Sequence, residues 1–292
     1  MFSGALTALV TPFRDDRIDE KALRALVADQ IDNGIHGLVP AGTTGEAASL
    51  SAEEYSQLLK IVIDEARGRV PVIAGAGTAS TSHTIELCKT AHRFKVDGVL
   101  VVVPYYYKPT QEGLFAHYSA VAKAMPLPIV LYNIPGRCGV DLALSTLERI
   151  ASLESVVAIK EATGNVLRSS EIAARFGDRF SVLSGDDALT LAIMAVGGQG
   201  VISVASNVAP GEVSKQVDLF RAGDLAGARA QHQRLLPLYE ALFVESNPGP
   251  VKCALGLRGA IKPEIRLPFV LPTEASQQRI RSALAAVGMV HS

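Results

Sequence analysis

Eight short apolar runs pace the 292-residue chain, at residues 5–10, 37–40, 70–74, 98–103, 128–132, 156–159, 180–183 and 200–204. Successive runs begin about 20 to 33 residues apart, the length of one strand plus one helix. Each run is continuously apolar rather than alternating. That is the pattern of a strand buried on both faces, as in a parallel sheet covered by helices. Amphipathic stretches fill the intervals. Asp19 predicts an N-cap ahead of Leu23, Leu26, Val27 and Ile31, with Gly34 as the stop. Ser51 and Glu54 predict a capping box, followed by Tyr55, Leu58, Leu59, Val62, Ile63 and Ala66 on one face, with Gly68 at the end.

Eight strand–helix units predict an α/β fold, a closed (β/α)8 TIM barrel with right-handed crossovers, over residues 1–223. The runs are used up near residue 205, and residues 224–292 predict a C-terminal helical extension. Its expected helices cover 226–244, with a kink at Pro237, then 250–257 and 274–286. Two separate domains are compatible with the length, but no low-complexity linker divides the chain.

Composition narrows the function. The chain is 48% apolar and 20% charged, which suits a large core and excludes disorder as its main state. Lysine and arginine number 28 against 29 acids, so no basic surplus supports a nucleic-acid partner. Cys88, Cys138 and Cys253 are odd in number and widely spaced, with neither a disulfide nor a zinc pattern. A reducing compartment is expected. No run approaches the roughly 20 apolar residues of a membrane helix, and the N-terminus lacks a basic leader region. The expectation is a cytoplasmic protein.

Barrel enzymes carry their chemistry at the C-terminal strand ends. Lys160 follows 156–159 directly, so its stem lies near the barrel interior. Burial there lowers a lysine pKa and frees the amine for Schiff-base chemistry, whereas an ordinary strand-end lysine pairs with an acid such as Glu161. Position alone leaves both readings open. Tyr132 ends another run and suits proton transfer. Gly42-Thr43-Thr44-Gly45 offers amides and hydroxyls for an anion, or is simply a capped tight turn. Tyr105, Tyr106 and Tyr107 are unusual in a chain only 5% aromatic; they pack, or present a phenol to a site or subunit interface. Arg137, on a loop after Pro135 and Gly136, is a surface charge or a carboxylate ligand. The six histidines, His36, His83, His92, His117, His232 and His291, show no metal spacing, and no cofactor fingerprint is present.

Taken together, Gly42–Glu46, Pro104-Tyr105-Tyr106, the segment Tyr132 to Arg137 and Ile159-Lys160-Glu161-Ala162-Thr163-Gly164 are a highly specific ordered set. With Leu183-Ser184-Gly185-Asp186-Asp187 and Gly200-Val201-Ile202-Ser203, the chain resembles the dihydrodipicolinate synthase family of Schiff-base, class I aldolases. The likeness covers nearly the whole chain and weakens after about Leu267.

The resemblance implies an imine between Lys160 and pyruvate, with Tyr132 moving protons. Thr43 would link Tyr132 in a hydroxyl relay completed by Tyr106 from a neighbouring subunit. Thr44 would bind the pyruvate carboxylate, and Ile202 and Gly185 would contact substrate. Arg137 would bind the carboxylate of L-aspartate 4-semialdehyde. No metal or cofactor is implied, and the assembly would be a homotetramer, a dimer of dimers. Sibling lyases such as N-acetylneuraminate lyase or a keto-deoxy-sugar-acid aldolase would share Lys160, Tyr132 and the threonine turn; Arg137 favours the semialdehyde. A silent barrel that only binds pyruvate-like acids is the third reading, and intact Lys160 and Tyr132 argue against it.

Two departures adjoin the site: Tyr107 and Cys138 stand where many relatives carry Asn and Thr. Relatives inhibited by L-lysine use two histidines, an Asn and a Glu where this chain has Ala52, Tyr55, Ala79 and His83. Weak or absent inhibition by lysine is expected.

Overall fold

A computed structural model describes residues 1–290; His291 lies outside the described residues. Ten strands form in chain order: β1 (Gly4–Ala8), β2 (Phe13–Arg14), β3 (Arg17–Ile18), β4 (Gly37–Val39), β5 (Ile73–Gly75), β6 (Gly98–Val102), β7 (Ile129–Asn133), β8 (Val156–Glu161), β9 (Ser181–Ser184) and β10 (Gly200–Ser203). Eight of them make one sheet in the order β4-β1-β10-β9-β8-β7-β6-β5, and β2 and β3 form a hairpin. The pairings of β1 with β4, and of β5 through β10 in succession, are parallel. Helices alternate with these strands. The fold is the expected (β/α)8 TIM barrel, followed by helices, and each expected run contains or adjoins one of its strands.

Two compact units make up the chain, residues 1–3 with 71–202 and residues 4–70 with 203–292. The first contains α3 (Thr81–Arg93), α4 (Gln111–Ala124), α5 (Pro135–Cys138), α6 (Leu144–Ala151), α7 (Val166–Phe176) and α8 (Thr190–Ala195), following strands β5 to β9. Strands β7 and β9 are buried along their whole length, which is why apolar residues do not alternate with charged ones along them.

The second unit holds β1, β4 and the hairpin, with α1 (Glu20–Asp32), α2 (Ala52–Ala66), α9 (Pro210–Arg221), α10 (Leu225–Ala241), α11 (Gly249–Leu257) and α12 (Glu274–Ala286). Asp19 caps α1 by accepting from the Ala22 amide. The capping box at Ser51 and Glu54 is complete, so two orphan amides of the first turn of α2 are satisfied. Asn207 anchors the end of β1: its amide group donates to the Ala8 carbonyl at 2.7 Å and its Oδ1 accepts from the Val10 amide at 3.0 Å.

Candidate active site

The first unit contains Lys160, Tyr132, Arg137, Gly185, Ile202 and Tyr106. Strands β7 and β8 pair in register, Tyr132 beside Lys160 and Asn133 beside Glu161. Side chains alternate along a strand, so Tyr132 and Lys160 share one face and Asn133 and Glu161 the other. On the first face, the Lys160 ammonium lies 4.4 Å from the centroid of the Tyr132 ring. Lys160 is 5% exposed and Tyr132 6%.

Burial pushes the Lys160 ammonium down to about 8; the Asp187 carboxylate opposes this, while the Arg137 guanidinium adds to it. The sequence pointed to the desolvation but assigned no role to Asp187, which is itself buried. Its side chain belongs to a 3-10 turn, residues 187–189, that Asp186 caps by accepting from the Ala188 amide.

Arg137 is exposed. It sits in the short helix α5 rather than on the irregular loop expected from Pro135 and Gly136. Pro135 presets the first helical φ, and Gly139 closes the turn at φ 72, in the left-handed region.

Ile202 is fully buried on β10. Gly185 donates its amide to the Glu161 carbonyl at 2.8 Å, just beyond β9. A Cβ there would meet the Ala162 Cβ at 2.6 Å, so only glycine lets these chain segments approach. Tyr106 is 81% exposed at φ 73 and meets Tyr107 edge-to-face, with centroids 5.4 Å apart.

Thr43 and Thr44 belong to the second unit, where their turn is firmly held. Thr43 is half-buried and Thr44 buried. Asn247 donates its side-chain N–H to the Thr44 hydroxyl oxygen at 3.0 Å. Thr11 donates to the Gly45 carbonyl at 2.7 Å. Glu46 ends the turn at φ 55 and pairs with Lys252 of α11, both wholly enclosed. The second Glu46 oxygen accepts from the Arg266 amide at 3.0 Å. Lys252 also donates to the Glu264 carbonyl at 2.8 Å and faces the Phe13 ring at 4.3 Å. Burial pushes its ammonium down, and Glu46 opposes that.

Sequence reasoning missed Asn247 and Lys252. Lys252 had a signal, since it interrupts an apolar helix between Val251 and Cys253. Asn247 had none beyond its proline neighbour. Among the described residues, no group of three His, Cys, Asp or Glu side chains gathers where a metal ion could sit. No helix of the described residues is long and apolar enough to cross a membrane.

Residues 1–287 match the model of the dihydrodipicolinate synthetase family. The 4-hydroxy-tetrahydrodipicolinate synthase of Sorangium cellulosum is 55% identical over 285 residues, covering 97% of this chain and 95% of the relative. The enzyme of the same name from Syntrophus aciditrophicus is 50% identical over 290 residues, 99% of this chain and 100% of its own. Among solved structures, the 4-hydroxy-tetrahydrodipicolinate synthase of Methylacidiphilum fumariolicum SolV superposes with a TM-score of 0.97 at 45% identity, covering 98% of this chain and 96% of that one.

Proposed function

This chain belongs to the dihydrodipicolinate synthetase family, and we propose that it condenses pyruvate, held as an imine on Lys160, with L-aspartate 4-semialdehyde. It is a lyase of the aldolase type in lysine biosynthesis. The observation that carries the Lys160 assignment is a buried strand-end amine titrating at about 8 beside a tyrosine ring.

The Lys160 amine adds to C2 of pyruvate, and loss of water leaves an iminium. The iminium withdraws electrons, so a methyl proton leaves readily and an enamine forms. The enamine carbon attacks the aldehyde of the second substrate. The amino group of that substrate then adds at the imine carbon, closes the ring and releases Lys160. Several protons move, and hydroxyls are the groups at hand to carry them. Tyr132 transfers protons at the imine, Thr43 links it into a relay, and Tyr106 of a neighbouring subunit completes the relay. Thr44 donates its hydroxyl proton to the pyruvate carboxylate, while Ile202 and Gly185 line the pyruvate side. Arg137 takes the carboxylate of the semialdehyde through charged, bidentate hydrogen bonds.

Residues 1–223 carry these groups, and the extension at 224–292 supports the turn of Thr43 and Thr44 from Asn247 and Lys252. The chemistry needs neither metal nor organic cofactor, because the imine itself is the electron sink. A homotetramer is supported by Tyr106, whose exposed phenol has nothing to relay unless another subunit receives it. A cytoplasmic location is supported by three free cysteines, all buried.

Borohydride reduction in the presence of pyruvate tests the assignment. A reduced pyruvyl adduct on Lys160, located by mass spectrometry, is expected. An adduct elsewhere, or none, overturns the role of Lys160. Turnover of aspartate semialdehyde, with none of N-acetylneuraminate, is expected in the companion assay.

A further inference from the structure

Strands β7 and β8 do not keep one register along their length. Ile129 sits beside Val156, but the next residue, Val130, sits beside Ala158. Strand β8 thus carries one extra residue, Val157, against β7, and every later pair is displaced by one. Without the extra residue, Tyr132 would lie beside Ile159 and Asn133 beside Lys160. Paired residues point to the same face of a sheet, and a one-residue slip reverses the faces. Lys160 would then share a face with Asn133 and not with Tyr132. The displacement is what brings the amine and the ring together.

A displaced register needs a fixed point beyond the extra residue, and the last pair supplies one. Asn133 Nδ2 donates to the Glu161 carboxylate at 3.2 Å, directly across the two strands. Both residues are buried. The same carboxylate accepts from Arg168 Nε, on α7, at 3.0 Å and from the Thr163 amide at 2.9 Å. On the β7 side, Asn133 also donates to the Asp141 carboxylate at 2.8 Å, and its oxygen accepts from the Leu142 amide at 3.2 Å. A slip of one residue moves a strand by about 3.3 Å and turns its side chains over. It would carry the buried Glu161 carboxylate away from both Asn133 and Arg168.

We propose that Glu161, bonded to Asn133 and Arg168, is a positioning residue that holds the displaced register of β8 and so keeps Lys160 beside Tyr132. Glu161 lies on the face opposite the amine and acts only through where the strand places it. The proposal rests on the assignment of Lys160 as the imine-forming residue.

Asn133→Leu removes the cross-strand donor at similar volume and adds no charge. Misplacement by about 1 Å costs as much as 100-fold in rate, so pyruvate trapping by borohydride at pH 7 should slow about 10- to 100-fold. The pH at which trapping levels off should also move up from near 8 toward 10.5, because an amine away from the ring is better solvated. Lower stability alone would reduce the amount of active enzyme and leave that pH where it was.

Glu161→Met with Arg168→Met guards against simple misfolding. Replacing both partners strands no charge, so this variant should melt within about 5 °C of wild type. It should nevertheless show the same slow trapping and the same upward move in pH. Trapping at the wild-type rate and pH in either folded variant, or slow trapping at an unmoved pH, overturns the positioning role. A double variant that does not fold overturns it too, by making the network a requirement of folding. If wild type itself gives no adduct on Lys160, the underlying assignment fails instead.

Discussion

Lys160 and Tyr132 face each other across paired strands, the ammonium 4.4 Å from the ring centroid, with both residues buried. The ring shields the amine from water, and desolvation lowers its pKa to about 8. At pH 7, a lysine titrating there keeps roughly a tenth of its population as free amine, several hundredfold more than an ordinary lysine. The rate of pyruvate trapping at low pyruvate should therefore rise with pH and level off near 8. Stopped-time borohydride quenching across the pH range measures it. A rise that continues toward the ordinary lysine value of 10.5 contradicts the assigned environment.

The same burial ties stability to pH. The folded pKa of Lys160 lies below its ordinary value, so between about 8 and 10.5 the unfolded chain binds the extra proton. Stability contributed by this group rises with pH across that window, by roughly 3 kcal/mol in all. Below the window, the native state carries the full cost of desolvating the ammonium. Chemical denaturation of wild type and Lys160→Met should show the gap between them shifting in favour of wild type as pH rises through the window. A gap that is constant with pH contradicts the linkage.

The strands were legible because burial on both faces leaves a simple trace, a short run made mainly of apolar residues and free of charge. The capping box at Ser51 and Glu54 was legible because its contacts span three residues. The hairpin of β2 and β3 was not, since each strand is only two residues long. Short-range rules also reached Lys160 and Tyr132, whose meaning follows from being at strand ends. They did not reach Asn247, which meets Thr44 across 203 residues of sequence, or Arg168, which meets Leu142 from the helix after the next strand. Those contacts join residues distant in sequence within each unit, and no local pattern encodes them.

Tyr106 offers a test of assembly that needs no structure of the complex. If its phenol serves a neighbouring subunit, Tyr106→Phe and Lys160→Ala repair each other when co-expressed. Each mixed pair of subunits then contains one site with both wild-type groups. Random pairing restores roughly a quarter of the sites. The separate variants should fall about 100-fold or more. No recovery in the mixture means that Tyr106 serves its own chain or none.

Sensitivity to L-lysine should be weak. Ala52 and Ala79 have no polar side-chain atoms, and Tyr55 is buried within its unit. A cationic amino acid loses charged hydrogen bonds at these positions, each weakening affinity about 10- to 100-fold. Initial rates in a lysine titration should stay near the uninhibited value through the submillimolar range. Strong inhibition in that range contradicts the reading of Ala52, Tyr55, Ala79 and His83.

The Glu46–Lys252 pair separates holding the threonine turn from merely filling space. Both side chains are withdrawn from water, so removing one partner strands a charge, at a cost of about 3–5 kcal/mol. Lys252→Met should lower the melting temperature by roughly 10 °C. Glu46→Gln with Lys252→Met removes the stranded charge and should recover a large part of that loss. Activity should not recover with it. The turn carrying Thr43 and Thr44 loses its anchor in both variants, so KM for pyruvate should remain raised after stability returns. Recovery of both properties together would reduce the pair to a structural role. A double variant as unstable as the single would show that charge stranding is not the source of the loss.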